Sequence, residues 1–407
     1  MNRTSAALAL VWLASSAAAA GALPNVDMGP IERNAEMLLR SMRENARSAE
    51  AEGLPRLFPR TFADGKVVFV DREDWCAGFF PGSLWFLYEL TGKDEWLAAA
   101  KETTMMLEKS RHLKRTHDVG FILASSFGNG WRIARVPGYD EVLKDGASAL
   151  ATRFSPAHGL VKSWDWWETS PYTFPVIIDN MMNLDLLEIA ASIGGDESFR
   201  KIARTHAATV SRRHFRHDGT VYHVLDYDAS RPIVRGIYAG QGESVDGAWA
   251  RGQAWALYGF TMMYRHSRDK AFLDRAVKSA EAWLSAPDMP GDGVPYWDFK
   301  ALDIPNAPRD ASAAACAASG LVDLSGLVSG GDSLRYRVAA EKIVASLSGP
   351  SYLARPGEAG GFILLHSTGN APAGHEVDVP LSYADYYYLE ALSRLRKIEN
   401  GKMEATR

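Results

Sequence analysis

The chain has 407 residues, 47% of them apolar and 23% charged, with a formal charge of −4. That apolar content supports a large packed core and excludes a disordered chain, and the mild acidity, without any long basic run, gives no electrostatic footprint for nucleic acid. Twelve Trp, fifteen Tyr and sixteen Phe supply aromatic faces that serve core packing and also suit the apolar faces of sugar rings.

In chain order, Arg3, an apolar stretch and small residues ending near Ala20 read as a secretory signal over residues 1–20, which predicts a periplasmic or secreted protein. The strongly apolar part is too short for a bilayer span, and no later stretch has about eighteen unbroken apolar residues, so no stable membrane insertion is expected once the signal is removed. Residues 21–407 are expected to form one domain. Helical periodicity predicts helices over about 30–48, 75–91, 93–110, 117–133, 138–151, 175–193, 196–212, 247–266, 268–285, 308–327, 331–347 and 380–396. Convincing alternating strands are scarce, although 213–246 suits a short hairpin.

The helices alternate in character. Those at 75–91, 175–193, 247–266 and 380–396 are apolar, small or aromatic around most of their circumference, as helices covered on both sides must be, while their neighbours carry a charged face. Two concentric rings fit this alternation, so the expected fold is all-α, an (α/α)6 barrel of six hairpins. The longer interruptions at 54–74, 152–174, 213–246, 286–307 and 348–379 then suit one rim, where several loops can assemble a site. An open α-solenoid is the competing architecture.

Several groups carry chemistry. Asp179 sits among Val176, Ile177, Ile178, Met181 and Met182, where loss of hydration raises a carboxyl pKa unless donors compensate, while a helix N-terminus works the other way. Such a group suits general acid/base work, and the competing role is a helix cap or a satisfied buried polar residue. Asp118, after Thr116 and His117, falls near a second helix start on the same expected rim. Paired carboxylates are the usual equipment of glycoside hydrolysis. In Gln241-Gly-Glu-Ser-Val-Asp-Gly-Ala-Trp249-Ala-Arg251-Gly-Gln253-Ala-Trp255-Ala-Leu-Tyr258, the residues Arg251, Trp255 and Tyr258 share one helical face. An Arg fork serves a carboxylate and Trp a sugar ring, or the same Arg stacks on core aromatics and pairs with a structural Asp. His223 lies in an apolar run, and Trp164-Asp-Trp-Trp167 and Tyr383-Ala-Asp-Tyr-Tyr-Tyr388 line a pocket or fill the core. Metal-ligand spacing, a phosphate loop and a Gly-x-Ser-x-Gly elbow are all missing, so neither metal nor other cofactor is expected. Cys76 and Cys316 suit either one disulfide or two small buried residues.

Five ordered segments resemble the unsaturated glucuronyl hydrolases of glycoside hydrolase family 88. They are Trp75-Cys-Ala-Gly-Phe-Phe-Pro-Gly-Ser-Leu-Trp85, Thr116-His-Asp-Val-Gly-Phe121, Ile178-Asp-Asn-Met-Met-Asn-Leu184, Trp249-Ala-Arg-Gly-Gln-Ala-Trp-Ala-Leu-Tyr-Gly259 and Val377-Asp-Val-Pro-Leu-Ser-Tyr-Ala-Asp-Tyr-Tyr-Tyr-Leu-Glu-Ala-Leu392. The resemblance implies an (α/α)6 barrel that removes the 4,5-unsaturated uronic acid left by polysaccharide lyases at non-reducing ends. It implies Asp179 as the acid/base that protonates C4 and helps water add at C5, and Asp118 as a second essential carboxylate. It further implies Trp75, His117, His223, Gln241, Arg251 and Trp255 as substrate-binding residues. The segment 356–393, which in that family bears on sulfation preference, contains no Lys or Arg here. The related readings are an unsaturated rhamnogalacturonyl hydrolase, an inverting glycosidase and a non-catalytic sugar-binding protein on the same fold.

Overall fold

The computed structural model describes residues 26–49, 55–165 and 172–401. The signal expected over 1–20, together with Trp166 and Trp167, lies outside the described residues. Each of the twelve predicted helices has a counterpart, arranged as six outer–inner pairs. They are α1 (Met28–Ser48) with α2 (Phe79–Thr91), and α3 (Asp94–Met105) with the interrupted α4 (Val119–Leu123) and α5 (Asn129–Ala134). Then come α6 (Tyr139–Ala151) with α7 (Asn180–Ser192), and α8 (Ser198–Arg213) with α9 (Ala250–Ser267). The last are α10 (Lys270–Leu284) with α11 (Ala311–Ser325), and α12 (Gly330–Leu347) with α13 (Ser382–Glu399).

The two layers differ as their sequences require. Outer α8 buries Phe199, Ala203, His206, Ala207 and Val210, one stripe at helical spacing, whereas inner α9 buries every residue from Ala250 to Met263. Inner α11 is almost wholly buried and starts on Asp310, whose carboxylate accepts the N–H groups of Ser312 and Ala313. Around the ring, α2 packs on the turn between α4 and α5, α4 on α7, α7 on α9, α9 on α11, α11 on α13, and α13 back on α2. That closure makes the fold an (α/α)6 barrel and rules out the open solenoid. Cys76 and Cys316 are both buried free thiols, so the disulfide alternative falls away.

Three expectations are corrected. The helix predicted from residue 175 begins at Asn180, because Phe174–Ile177 forms a strand. Pro175 disfavours helical geometry in the residue before it, and the branched Val176-Ile177-Ile178 run fits a pleated surface better. The helix predicted from 117 to 133 is broken by one π-helical turn at Ala124–Gly128. There the Ser125 and Ser126 hydroxyls donate back to the carbonyls of Phe121 and Ile122. Finally, the first long interruption contains an antiparallel hairpin, β1 (Phe58–Ala63) and β2 (Lys66–Val70).

Further on, β3 (Phe154–Ser155) pairs with β4 (Leu160–Val161), and β5 (Phe174–Ile177) joins β6 (Val224–Tyr227) and β7 (Val234–Tyr238) in a three-stranded antiparallel sheet ordered β5-β6-β7. The predicted hairpin within 213–246 is therefore present, enlarged by β5. Beneath this sheet two imidazoles are completely buried. His206 Nδ1 accepts the Val161 N–H at 3.0 Å, and His214 Nε2 lies 3.3 Å from the Val176 carbonyl. Burial lowers both pKa values, that of His214 from 6.5 to about 4, with neighbouring imidazoles adding repulsion.

A folded-state pKa below the unfolded value means that the fold favours neutral imidazole. The contribution of His214 is thus complete above pH 6.5 and is lost as pH falls toward about 4. The loss should reach about 3 kcal/mol for His214 alone. Chemical denaturation across this range should show a steep loss in the wild type and a shallower one, by about one proton, in His214→Asn. Equal slopes would refute the assignment.

Candidate active site

A run of backbone hydrogen bonds assembles the site. Thr116 bridges to Trp164, and His117 N–H donates to the Ser163 carbonyl at 2.8 Å. Ser163 N–H donates to Pro175 O at 2.9 Å, and its hydroxyl accepts from Ile177 N–H at 3.0 Å. Ile178 N–H donates to His223 O at 3.1 Å, where β5 meets β6. Segments far apart in sequence are thereby laid side by side, bringing His117, Asp118, Asp179 and His223 to one rim.

The heads of α4 and α7 are locked to each other. Asn183 Oδ1 accepts the Phe121 N–H at 2.6 Å while its amide donates to the Asp179 carbonyl at 3.3 Å. Gly120 permits this approach, since a Cβ there would lie 2.6 Å from the Asn183 backbone. Asp118 and Asp179 are accordingly the residues immediately before their helices, and neither side chain caps its helix. The cap alternative for Asp179 therefore falls away. Asp118 instead accepts the Thr116 hydroxyl at 2.5 Å through Oδ2 and has Oδ1 3.1 Å from His117 Nε2. The Thr116 hydroxyl in turn accepts from Asp118 N–H at 3.1 Å, ahead of the helix, so Thr116 does not cap it.

Asp179 is 9% exposed, and its Oδ2 is buried with no hydrogen-bond partner among the described residues. Facing it at 3.5 Å is His223 Nε2, equally unpartnered. Gln241 N–H donates to His223 Nδ1 at 2.9 Å, so Nδ1 is the acceptor and neutral His223 carries its proton on Nε2, toward Asp179. The imidazole is fixed from the other side by Trp249, with ring centroids 4.3 Å apart. A carboxyl with one free oxygen and a neighbouring N–H is equipped to deliver a proton and take one back.

The other predicted residues converge on the same rim in different ways. Trp75 packs on Tyr383 at 4.7 Å and on Phe121 at 5.4 Å, partly exposed. Arg251 and Trp255 are 1% and 0% exposed, so they form the wall behind the site. Trp255 is wedged between Phe121 and Tyr387. Arg251 donates to Asp310 and to the carbonyls of Thr368 and Gly369, and stacks on Trp249 and Tyr383. Burial opposes its charge, but Tyr383, Asp310, Asp179 and Glu376 outweigh that and hold it ionised. Gln241 also donates to Gly369 O, at 2.7 Å. Gln241 and Arg251 thus clamp the rim hairpin 366–379, in which His366, Glu376 and Asp378 all hold left-handed backbone, a strain that needs surrounding contacts to persist. Tyr258, on the Arg251 face, lies deeper and donates to Glu390 at 3.0 Å.

Two participants escape a sequence reading. Arg60, on β1, forks onto Glu376 and reaches Asp74 at 3.0 Å. The cation paired with Glu376 on the 366–379 hairpin therefore comes from more than 300 residues away in sequence. Burial raises the pKa of Asp74 against the pull of Arg60, and Asp118 adds to that rise, placing a third carboxyl beside the pair. No local signal marks either residue, since an isolated Arg on a strand and an Asp before Trp75 look like ordinary surface charges.

A closed (α/α)6 barrel with carboxylates at the heads of two inner helices is an architecture that suits a glycoside hydrolase. An unsaturated glucuronyl hydrolase of Formosa agariphila is 40% identical over 346 residues, spanning 84% of this chain and 85% of that one. An unsaturated chondroitin disaccharide hydrolase of Streptococcus pyogenes is 30% identical over 341 residues, spanning 82% and 84%. The crystal structure of an unsaturated glucuronyl hydrolase specific for heparin matches with a TM-score of 0.84 at 41% identity, covering 92% of this chain and 99% of that one. No family model matches the chain. The chain belongs to the unsaturated glucuronyl hydrolases of glycoside hydrolase family 88.

Gly240 tests the His223 setting. It has φ +60°, and a Cβ there would lie 2.2 Å from His223 Nδ1. Gly240→Ala should cost about 1–2 kcal/mol in backbone strain and turn the imidazole away. Steady-state kinetics should show kcat/KM lower by at least about tenfold while the fold persists. Unchanged kinetics would show that His223 placement is irrelevant.

Proposed function

We propose that this enzyme removes the 4,5-unsaturated uronic acid from the non-reducing end of oligosaccharides produced by glycosaminoglycan lyases. The similar proteins named for chondroitin disaccharide and heparin support that substrate class. The observation that carries the mechanism is the unpartnered Asp179 Oδ2 beside the His223 Nε2–H. Protonated Asp179 gives its proton to C4 of the enol ether, and positive charge develops at C5 and the ring oxygen. The resulting carboxylate takes a proton from water as the water oxygen bonds to C5. The hemiketal so formed opens the ring, and the hemiacetal at C1 breaks down to an aldehyde and the freed alcohol of the remaining sugar. Water is consumed once and Asp179 ends as it began.

The neighbours then divide the remaining work. Asp118, held by Thr116 and flanked by His117, accepts substrate hydroxyls. Arg251 and Gln241 act by holding the rim hairpin against the site. The sulfation preference falls to a rim whose nearby cation, Arg60, is already committed to Glu376 and Asp74. The stretch over residues 1–20, read from its sequence as a secretory signal, supports action in the periplasm or outside the cell.

Turnover is read directly, because hydration of C4=C5 abolishes the ultraviolet absorbance of its conjugation with the carboxylate. Unsaturated chondroitin and heparin disaccharides should lose that absorbance with the wild type, and Asp179→Asn should be slower by at least about 10²–10⁴-fold. Undiminished turnover by Asp179→Asn, or cleavage restricted to saturated glycosides, would overturn the assignment.

A further inference from the structure

The rim hairpin 366–379 is fastened unequally on its two sides. Its first arm is anchored to the barrel. Thr368 N–H donates to Asp310 at 3.3 Å and its hydroxyl to the Arg309 carbonyl at 2.9 Å, while Arg251 and Gln241 donate to the carbonyls of Thr368 and Gly369. The return arm meets the first through Gly369 N–H to the Glu376 carbonyl at 2.6 Å and through the Asn370–His375 and Ser367–Val379 pairs. From outside the hairpin, the polar side-chain tie on the return arm among the described residues is Arg60. Its Nε and Nη2 donate to the two Glu376 oxygens at 2.5 and 2.9 Å. Next to it on β1, the Thr61 hydroxyl donates to the Pro380 carbonyl at 2.7 Å and marks the root of that arm.

The return arm is also where backbone strain gathers. Glu376 and Asp378 have φ of 55° and 56°, left-handed geometry that residues other than glycine adopt at a cost and keep only where surrounding contacts impose it. An arm built this way relaxes when its tie is cut, whereas an Arg–carboxylate fork fixes two atoms at once and resists rotation as well as separation. The third Arg60 bond extends the tie. Nη1 donates to Asp74 Oδ2 at 3.0 Å, and Asp74 Oδ1 accepts the Cys76 N–H at 2.9 Å, which fixes the turn that carries Trp75. One guanidinium thus joins the Trp75 turn to the return arm, two walls of the same rim. His223 is set by the Gln241 N–H and faces Asp179, and neither residue is bonded to Arg60 or to the return arm.

We infer that Arg60 is a positioning residue, which acts through Glu376 to hold the return arm of the hairpin against the rim and so presets the shape that the substrate enters. The identity of that substrate rests on the function proposed above. With the tie cut, the substrate must order the arm as it binds. That cost falls on ground state and transition state alike, so KM rises and kcat is kept.

The test combines steady-state kinetics on an unsaturated chondroitin disaccharide with hydrogen exchange of the full chain in the absence of substrate. Arg60→Ala and Glu376→Ala should each raise KM at least about fivefold with kcat within about twofold of wild type. The double variant should be no worse than the more affected single variant, since both cut one tie. Arg60→Lys, which keeps the charge but not the fork, should fall between wild type and Arg60→Ala, and it tests the inference even where the alanine variant folds poorly. Amides of 367–379 should exchange faster in Arg60→Ala while those of the inner helices keep wild-type rates. A residue that merely supports the fold would lower protection throughout and leave KM alone. Unchanged KM in Arg60→Ala and Arg60→Lys, additive effects in the double variant, or unchanged exchange over 367–379 would overturn the proposal. A wild type that leaves the disaccharide intact would instead refute the proposed function, and the exchange comparison would then decide by itself whether Arg60 holds the hairpin.

Discussion

The structure depends on the backbone ladder that runs from Thr116 through Ser163 and Pro175–Ile178 to His223 and β6. Helix packing alone builds a barrel but leaves the heads of α4 and α7 free to shift by a fraction of a turn. The ladder removes that freedom, because each strand residue is hydrogen-bonded to a partner whose own position is fixed by the next. Asn183 adds the cross-tie between the two helices. General acid/base chemistry needs positional control of about half an ångström, and loops without such bonding do not supply it.

The ladder also explains why an unsatisfied pair is tolerated. Asp179 Oδ2 and His223 Nε2 are buried without a hydrogen-bond partner among the described residues, which costs roughly 1–3 kcal/mol per group relative to a satisfied arrangement. The same neighbourhood contains strained backbone in the 366–379 hairpin, held down by Arg60, Gln241 and Arg251. Destabilising features gathered at one rim and offset by rigid packing elsewhere are the expected signature of a reacting site. The buried neutral histidines beneath the sheet belong to the support, not to the chemistry, and their titration affects catalysis only through stability.

Much of this architecture is legible in the sequence. The alternation between all-round apolar helices and one-faced neighbours reports which layer a helix occupies, and it anticipated the barrel because burial on one or both sides is a property of composition. Asp179 is conspicuous as a carboxylate in apolar surroundings and Asp118 as one near a helix start, whereas His223 reads as a core histidine and enters only through the family resemblance. What stayed hidden was pairing across distance. Phe174–Ile177 is apolar without a period, so strand and helix were equally compatible until β6 supplied its partner. Of the two readings of Arg251, the structure shows the one stacked on aromatics and paired with an Asp, here Asp310; the part that stayed hidden is its bonds to the carbonyls of Thr368 and Gly369, more than a hundred residues away. Arg60 and Asp74 gave no signal, since an ion pair to Glu376 is invisible without the closed ring that brings the chain ends together.

The central claim is that Asp179 delivers a proton to carbon, not to a glycosidic oxygen. The most direct measurement is NMR of the product formed in D₂O at early times. One deuterium should appear at C4, on a single face, and its incorporation should vanish in Asp179→Asn. Product without deuterium at C4, or labelled equally on both faces from the first turnovers, would contradict protonation by a positioned carboxyl.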